Sequence, residues 1–177
     1  MGAVIVGIGA VLAALFLLTK KAEGAAGEVY VDYSYTDPGT PANLEGMIDY
    51  AAQKYNVDRS LVKAVAMTES SLNPNAENPA DPSYGLMQVM PILAEDFGIV
   101  KDWHNPTPAE IAMIKDPQTN LRIGAWFLGR LLKKYSLEIS IEMYNVGEAG
   151  WKQGRRNSKY VAKVMRYYNE FRANSVG

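Results

Sequence analysis

One carboxylic acid stands where the sequence predicts a buried helix face. Residues 59–70 place apolar side chains at helical spacing, and Glu69 falls on the same stripe as Val62, Val65 and Ala66. Burial disfavours the charged carboxylate, and so does the negative end of the helix dipole near the last turn. Both effects raise the pKa of Glu69. The pattern therefore indicates a general acid, with a solvated helix end or an ion pair as the alternatives.

The composition argues against most other kinds of catalytic chemistry. The chain of 177 residues has no cysteine and a single histidine, His104, which removes thiolate sites and argues against histidine metal sites and Ser-His-Asp triads. Its net charge of -1 gives no argument for binding nucleic acid. We therefore expect carboxylates, hydroxyls, amides or amines to perform the chemistry, without a metal or a cofactor.

Hydropathy divides the chain into three segments. Residues 1–19 contain no charged side chain and are long enough to span a bilayer, so we expect a transmembrane helix, with a cleaved signal peptide as the alternative. Residues 20–43 are rich in Gly, Ala and Pro, which is typical of a linker. Within them, residues 29–35 have the composition of a short strand, although an extended linker is the simpler interpretation. Residues 44–177 are the expected folded domain.

The pattern of residues 44–177 predicts an all-α domain. Helix starts are expected where a capping residue precedes an apolar stripe, at Asn43, Asp58, Thr107, Asp116, Ser136 and Asn157. The helix that follows Asp116 is expected to be the longest. Residues 71–84, which contain three prolines, are expected to be the only long non-helical stretch.

Short motifs of the domain follow one another in a distinctive order. They are Glu69-Ser70, Gly85-Leu86-Met87-Gln88, Tyr144-Asn145-Val146-Gly147 and a late tyrosine, Tyr160. With these motifs the chain resembles the murein lytic transglycosylases of the soluble-lytic (SLT) type, which have a goose-type lysozyme fold. The resemblance covers residues 44–171. The segment 116–121, followed by Gly124, also resembles the long helix of that family.

The resemblance implies a reaction for Glu69. The family's acid protonates the glycosidic oxygen between N-acetylmuramic acid and N-acetylglucosamine in peptidoglycan and then acts as a base. The substrate's own N-acetyl group replaces a second carboxylate, and attack by its C6 hydroxyl leaves a 1,6-anhydro end. A second carboxylate is not evident in this sequence, since Asp81, Asp96 and Glu142 are expected to be solvated acids of loops or helix faces.

Other residues match family positions that contact the substrate or the acid. Ser70 matches a supporting hydroxyl beside the acid, and Tyr160 matches a tyrosine near it. Tyr144 and Asn145 match the pair that orients the acid and the N-acetyl group of the substrate. The positions that line the groove near the cleaved bond are occupied by Gln88 and Met90.

The residues after the Tyr-Asn motif allow two interpretations. Trp151 lies in a loop flanked by glycines, where it would stack on a sugar or simply pack. A basic cluster surrounds it, and a solvated loop is a simpler explanation than contact with acidic peptide stems. The cluster consists of Lys152, Arg155, Arg156 and Lys159.

The resemblance favours a membrane-anchored, single-pass enzyme whose catalytic domain faces peptidoglycan, in the periplasm or cell envelope or on a virion membrane. Its expected task is local opening of the cell wall, during phage entry or assembly of an envelope apparatus, with virion or apparatus proteins as partners. Nucleic acid is not expected as a partner. The alternatives are a hydrolytic goose-type muramidase, and a catalytically idle protein that binds peptidoglycan or serves in assembly.

Overall fold

The structure is a computed structural model, and it describes residues 43–174. The expected transmembrane helix at 1–19 and the linker up to residue 42 lie outside the described residues. Within them the chain forms eight α-helices. These are α1 (Leu44–Tyr55), α2 (Arg59–Ser70), α3 (Pro91–Phe97), α4 (Pro108–Lys115), α5 (Pro117–Leu132), α6 (Leu137–Val146), α7 (Glu148–Lys152) and α8 (Ser158–Asn174).

Local capping bonds start several of these helices where the sequence predicts them. Asp58 accepts a hydrogen bond from the backbone N–H of Ser60 at 2.8 Å and so begins α2. Thr107 and Glu110 form the expected capping box at the start of α4. Asp116 ends α4 and caps α5, whose first residue is a proline.

The structure corrects the sequence prediction in four respects. Residues 77–78 and 83–84 pair as a short antiparallel hairpin, β1 and β2, inside the predicted non-helical stretch, so the domain is not entirely α-helical. Residues 98–107 are a second long stretch without helix. Among the described helices the longest is α8, with 17 residues against 16 for α5. Helices α3 and α7 went unpredicted because seven and five residues are too few to show a periodic stripe.

The helices enclose one apolar core, in which α5 packs against α1, α3, α4 and α6. Helix α2 runs antiparallel to α8: the end of α2 meets the start of α8, and Asp58 at the start of α2 accepts a hydrogen bond from Tyr168. No helix between residues 43 and 174 is long and apolar enough to span a membrane. The largest fully buried side chains include Ile48, Leu61, Leu86, Met87, Leu121, Ile123, Leu128 and Met143.

Candidate active site

Glu69 lies in the last turn of α2, on the stripe that the helix buries. Val62, Val65 and Ala66, one and two turns earlier, are completely inaccessible to solvent. Ser71 then ends the helix in the left-handed conformation, with φ 56°. Glu69 itself is only partly exposed. The helix therefore carries a carboxyl group to the edge of the core, as its spacing predicts.

The side chain of Glu69 is held by a tyrosine from the far end of the chain. The phenolic hydroxyl of Tyr160, in the first turn of α8, donates to Oε1 of Glu69 at 2.5 Å. One turn further along α8, the ammonium group of Lys163 donates to the backbone carbonyl of Thr68 at 3.1 Å. Within the described residues, no group bonds Oε2 of Glu69. One carboxyl oxygen of Glu69 is therefore fixed by Tyr160.

Burial raises the pKa of Glu69 from 4.5 to about 7, against the opposing effects of the Tyr160 hydrogen bond and the positive charge of Lys163. The upward direction expected from burial is therefore confirmed, while the helix dipole is not among the causes of the shift. Near neutral pH a substantial fraction of Glu69 keeps its proton. Such a group can donate a proton and then take one back, which is what a single general acid–base catalyst must do.

Tyr144 approaches the site from α6. Its hydroxyl donates to the backbone carbonyl of Met87 at 3.0 Å, and its ring packs against Phe127 with the centroids 5.6 Å apart. Burial, together with the charge of Glu69, raises the pKa of Tyr144 well above 10, so the phenol stays protonated. Tyr144 therefore ties α6 to the loop at residues 85–89 as a neutral donor.

That loop is fastened to α5 by a fully buried amide. The side chain of Asn120 accepts from the N–H of Met87 at 2.8 Å and donates to the carbonyls of Tyr84 at 2.7 Å and Ile114 at 2.9 Å. Gly85 has a left-handed φ of 74°, and a Cβ there would lie 2.6 Å from the Asn120 amide nitrogen. Asn120 belongs to the segment 116–121, which resembles the long helix of the family. Its side chain attaches the loop at residues 85–89 to the core.

Gln88 braces the same loop from within. It has a left-handed φ of 46°, which is strained for a residue with a Cβ. Its amide nitrogen donates to the carbonyls of Gly85 at 3.0 Å and Ala76 at 3.3 Å, and its amide oxygen accepts from Ser83 at 2.9 Å. The side chain predicted to line the groove is occupied in holding the strained loop.

Ser70 also contacts this loop rather than the carboxyl group beside it. Its hydroxyl lies 2.8 Å from the carbonyl of Leu86 and 3.1 Å from that of Ala66. Met90 is 37% exposed directly before α3. Asn145 is exposed, and its amide oxygen accepts from Asn157 at 2.8 Å. Ser70 and Gln88 thus support the site, while Met90 and Asn145 present accessible side chains.

The expectation for Glu142, in α6, was wrong, and for Trp151 the structure favours packing, one of the two interpretations. Glu142 is not a solvated acid: its side chain is 13% exposed, and it accepts from the indole N–H of Trp151 at 2.9 Å. The guanidinium of Arg156 covers the Trp151 ring at 4.1 Å from its centroid, so this face is closed to a sugar. The basic cluster is solvent-exposed, as the simpler interpretation predicts. Among the acids and the histidine of residues 43–174, none cluster in a way that could hold a metal ion.

Sequence reasoning overlooked Lys163 and Asn157. Lys163 stands three residues after Tyr160, so the two share a helix face, and this spacing was a signal that a positive charge lies near the acid. Asn157 gave no such signal beyond its place at a helix start. Its contacts with Glu142 and Asn145 in α6 form only in the folded chain.

A partly buried glutamic acid of near-neutral pKa, supported by a tyrosine in a helical lobe, has the properties that general acid–base chemistry requires. The Transglycosylase SLT domain family matches residues 46–165. The chain is 32% identical to membrane-bound lytic murein transglycosylase C of Shigella sonnei and 33% identical to the protein of that name in Cronobacter sakazakii, in each case over 68% of this chain. The chain therefore belongs to the Transglycosylase SLT domain family.

The similarity covers only part of each related protein. The matches span 35% of the length of each of these two relatives. The lytic transglycosylase Slt of Pseudomonas aeruginosa, solved as an inactive mutant, has the same fold with a TM-score of 0.57 and 19% identity, over 76% of this chain and 25% of that one. The lysozyme-like SLT fold that the motifs predict is thus confirmed for the helical domain.

Proposed function

We propose that this chain is a peptidoglycan lytic transglycosylase that uses Glu69 as its only catalytic carboxyl group. Its reaction is non-hydrolytic cleavage of the β-1,4 bond between N-acetylmuramic acid and N-acetylglucosamine. The observation that carries the proposal is the state of Glu69, which has a pKa of about 7 and one oxygen held by Tyr160. Family membership supports the same reaction.

The geometry supports a reaction in two proton transfers. Glu69 donates its proton from Oε2 to the glycosidic oxygen as the bond from that oxygen to C1 breaks, and the Tyr160 hydroxyl stabilises the carboxylate that forms. The N-acetyl group of the substrate stabilises the positive charge at C1. The C6 hydroxyl then attacks C1 and gives its proton to Glu69, which restores the acid without consuming water.

The surroundings of Glu69 favour this reaction over a hydrolytic muramidase, which would need a second carboxylate. The groups that shift the pKa of Glu69 are Tyr160 and Lys163, and neither is a carboxylate. Asp81 is exposed, and Asp96 is 63% exposed and lies 3.7 Å from Arg130. Glu142 is engaged by Trp151. None of the acids considered from the sequence is thus available as a partner for Glu69.

We further propose, from composition alone, that residues 1–19 anchor the chain in a membrane and residues 20–43 tether the domain to it. Such an enzyme would act only on wall close to that membrane, which suits the local opening of peptidoglycan for a virion or an envelope apparatus. The domain would face peptidoglycan in the cell envelope or on a virion membrane, and the proteins of that virion or apparatus would be its partners.

The products of digestion test the proposed reaction. We expect the purified full-length protein to release muropeptides that end in 1,6-anhydro-N-acetylmuramic acid from isolated peptidoglycan, each one water lighter than a hydrolysed product. Mass spectrometry distinguishes the two ends directly. Asp81→Asn and Asp96→Asn variants should release the same products, because no second carboxylate is required. Reducing ends would indicate a muramidase, and an absence of fragments would favour an idle peptidoglycan-binding protein.

A further inference from the structure

Glu142 joins three segments of the chain through one carboxylate. It lies in α6, two residues before Tyr144, with its side chain 13% exposed. It accepts a hydrogen bond from the indole N–H of Trp151 in α7 at 2.9 Å and from the backbone N–H of Asn157 at 2.8 Å. The guanidinium of Arg156 lies 3.7 Å away. The carboxylate therefore fixes the chain at the residue directly before α8.

Asn157 in turn forms hydrogen bonds with two residues of the candidate active site. Its amide nitrogen donates to the side-chain oxygen of Asn145 at 2.8 Å, and its amide oxygen accepts from the backbone N–H of Tyr160 at 3.1 Å. Tyr160 is the residue whose hydroxyl bonds Glu69. A chain of hydrogen bonds thus connects Glu142 to two residues of the site. These are Tyr160, which holds the acid, and Asn145, whose amide is exposed.

We propose that Glu142 is a positioning residue of the catalytic site, acting through Asn157 on Tyr160 and Asn145. The proposal rests on the proposed function, because it assigns Glu142 a part in the same reaction. A largely buried carboxylate that accepts two N–H donors leaves those donors without a partner when it is changed. The beginning of α8 would then be free to shift, and a small shift of a supporting group is enough to slow catalysis.

The pKa of Glu69 shows whether Glu142 and Asn157 hold the start of α8 in place. The groups that face it are Tyr160 and Lys163 from α8 and Tyr144 from α6. The hydrogen bond from Tyr160 and the charge of Lys163 both lower the pKa of Glu69. A shift of the start of α8 away from α2 weakens both effects, so the pKa of Glu69 should rise. Loss of overall stability alone would leave the pKa of the folded protein unchanged.

The test is Glu142→Gln in the full-length protein. Glutamine presents one oxygen where the carboxylate presents two, so the N–H of either Trp151 or Asn157 loses its acceptor. We expect kcat for peptidoglycan cleavage to fall roughly tenfold with KM within about twofold of the wild-type value. We also expect the pKa of Glu69, followed by ¹³C NMR of its carboxyl carbon, to move upward. Tyr160→Phe, which removes the hydroxyl itself, calibrates the size of that movement.

The matched control is Glu148→Gln. Glu148 likewise accepts from one aromatic residue, Tyr135, at 2.9 Å and from one cation, Lys152, at 2.7 Å, but these contacts do not reach α8. Neither kcat nor the pKa of Glu69 should change in this variant. A second variant, Asn157→Ala, keeps the backbone N–H that Glu142 binds and removes the links to Asn145 and Tyr160, so it should reproduce the upward movement.

An unchanged or lowered pKa of Glu69 in both Glu142→Gln and Asn157→Ala would overturn the proposal, and so would an unchanged kcat in folded Glu142→Gln. The NMR measurement does not depend on catalysis. If the wild-type protein released no fragments while the pKa still moved, the proposed function would fail and the restraint would stand. If fragments appeared and the pKa of Glu69 did not move, the proposed function would stand and the restraint through Glu142 would fail.

Discussion

A Glu69→Gln variant should fold and should cleave peptidoglycan at least ~10³-fold more slowly than the wild-type protein. The amide has nearly the shape of the carboxylic acid, and its oxygen can still accept the hydrogen bond from Tyr160. It cannot give a proton to the glycosidic oxygen, and it cannot take one from the C6 hydroxyl. The rate of release of muropeptides, measured by chromatography and mass spectrometry, checks the prediction.

Glu138→Gln is the matched control for this loss. Glu138 is exposed in the first turn of α6, and the described residues offer it no hydrogen-bond or ion-pair partner. The same chemical change there should leave the rate within about twofold of the wild-type value. A Glu69→Gln variant that retained a tenth of the wild-type rate would remove Glu69 from the catalytic role.

The same variant should change how stability depends on pH. The folded protein holds the proton of Glu69 up to a pH of about 7, whereas the unfolded chain releases it near 4.5. Because the unfolded state binds fewer protons in that window, the free energy of unfolding falls as pH rises through it, by about 3 kcal/mol in all. Glutamine does not titrate, so this contribution disappears from the variant.

Urea denaturation at pH 4.5 and pH 8 measures this difference directly. Between the two pH values the wild-type protein should lose more stability than Glu69→Gln, and the other titrating groups cancel in the comparison. Equal pH dependence in the two proteins would mean that the pKa of Glu69 is not raised in the folded state. It would also show that the near-neutral acid on which the proposed mechanism depends is absent.

Among the substitutions considered, replacing Asn120 with alanine should lower the free energy of unfolding the most. The change leaves the N–H of Met87 and the carbonyls of Tyr84 and Ile114 without their partner, at a cost of about 3–5 kcal/mol in the free energy of unfolding. Activity should fall as well, because the carbonyl of Met87 also anchors Tyr144. Urea denaturation near neutral pH gives the stability change.

Asn105→Ala provides the control for Asn120. Asn105 is an exposed loop residue, and its replacement should change the free energy of unfolding by less than about 0.5 kcal/mol. Asn120→Asp offers a sharper comparison, since it keeps the acceptor for Met87 but faces two carbonyl oxygens with a carboxylate. We expect it to be at least as destabilising as alanine. A loss below about 1 kcal/mol in Asn120→Ala would show that other contacts hold the loop.

The sequence determined those features that depend on residues a few positions apart. The capping residues Asp58 and Asp116 begin their helices because a side chain reaches backbone N–H groups two or three residues ahead. Glu69 lies on a buried stripe because helical spacing repeats every three or four residues. Its near-neutral pKa follows in direction from that placement, since burial is its largest cause.

The resemblance implied that Tyr160 lies near Glu69, but only the tertiary structure decided the contacts that bring the groups of the site together. Tyr160 reaches Glu69 across 91 positions of sequence, and Glu142 reaches Asn157 across 15 positions that include α7. The amide of Gln88 holds a strained loop, a role that the sequence did not predict beside its expected place in the groove. Spacing along a helix places one side chain on a face. Its partner depends on how separate helices pack, and that packing is set by the whole core rather than by neighbours in sequence.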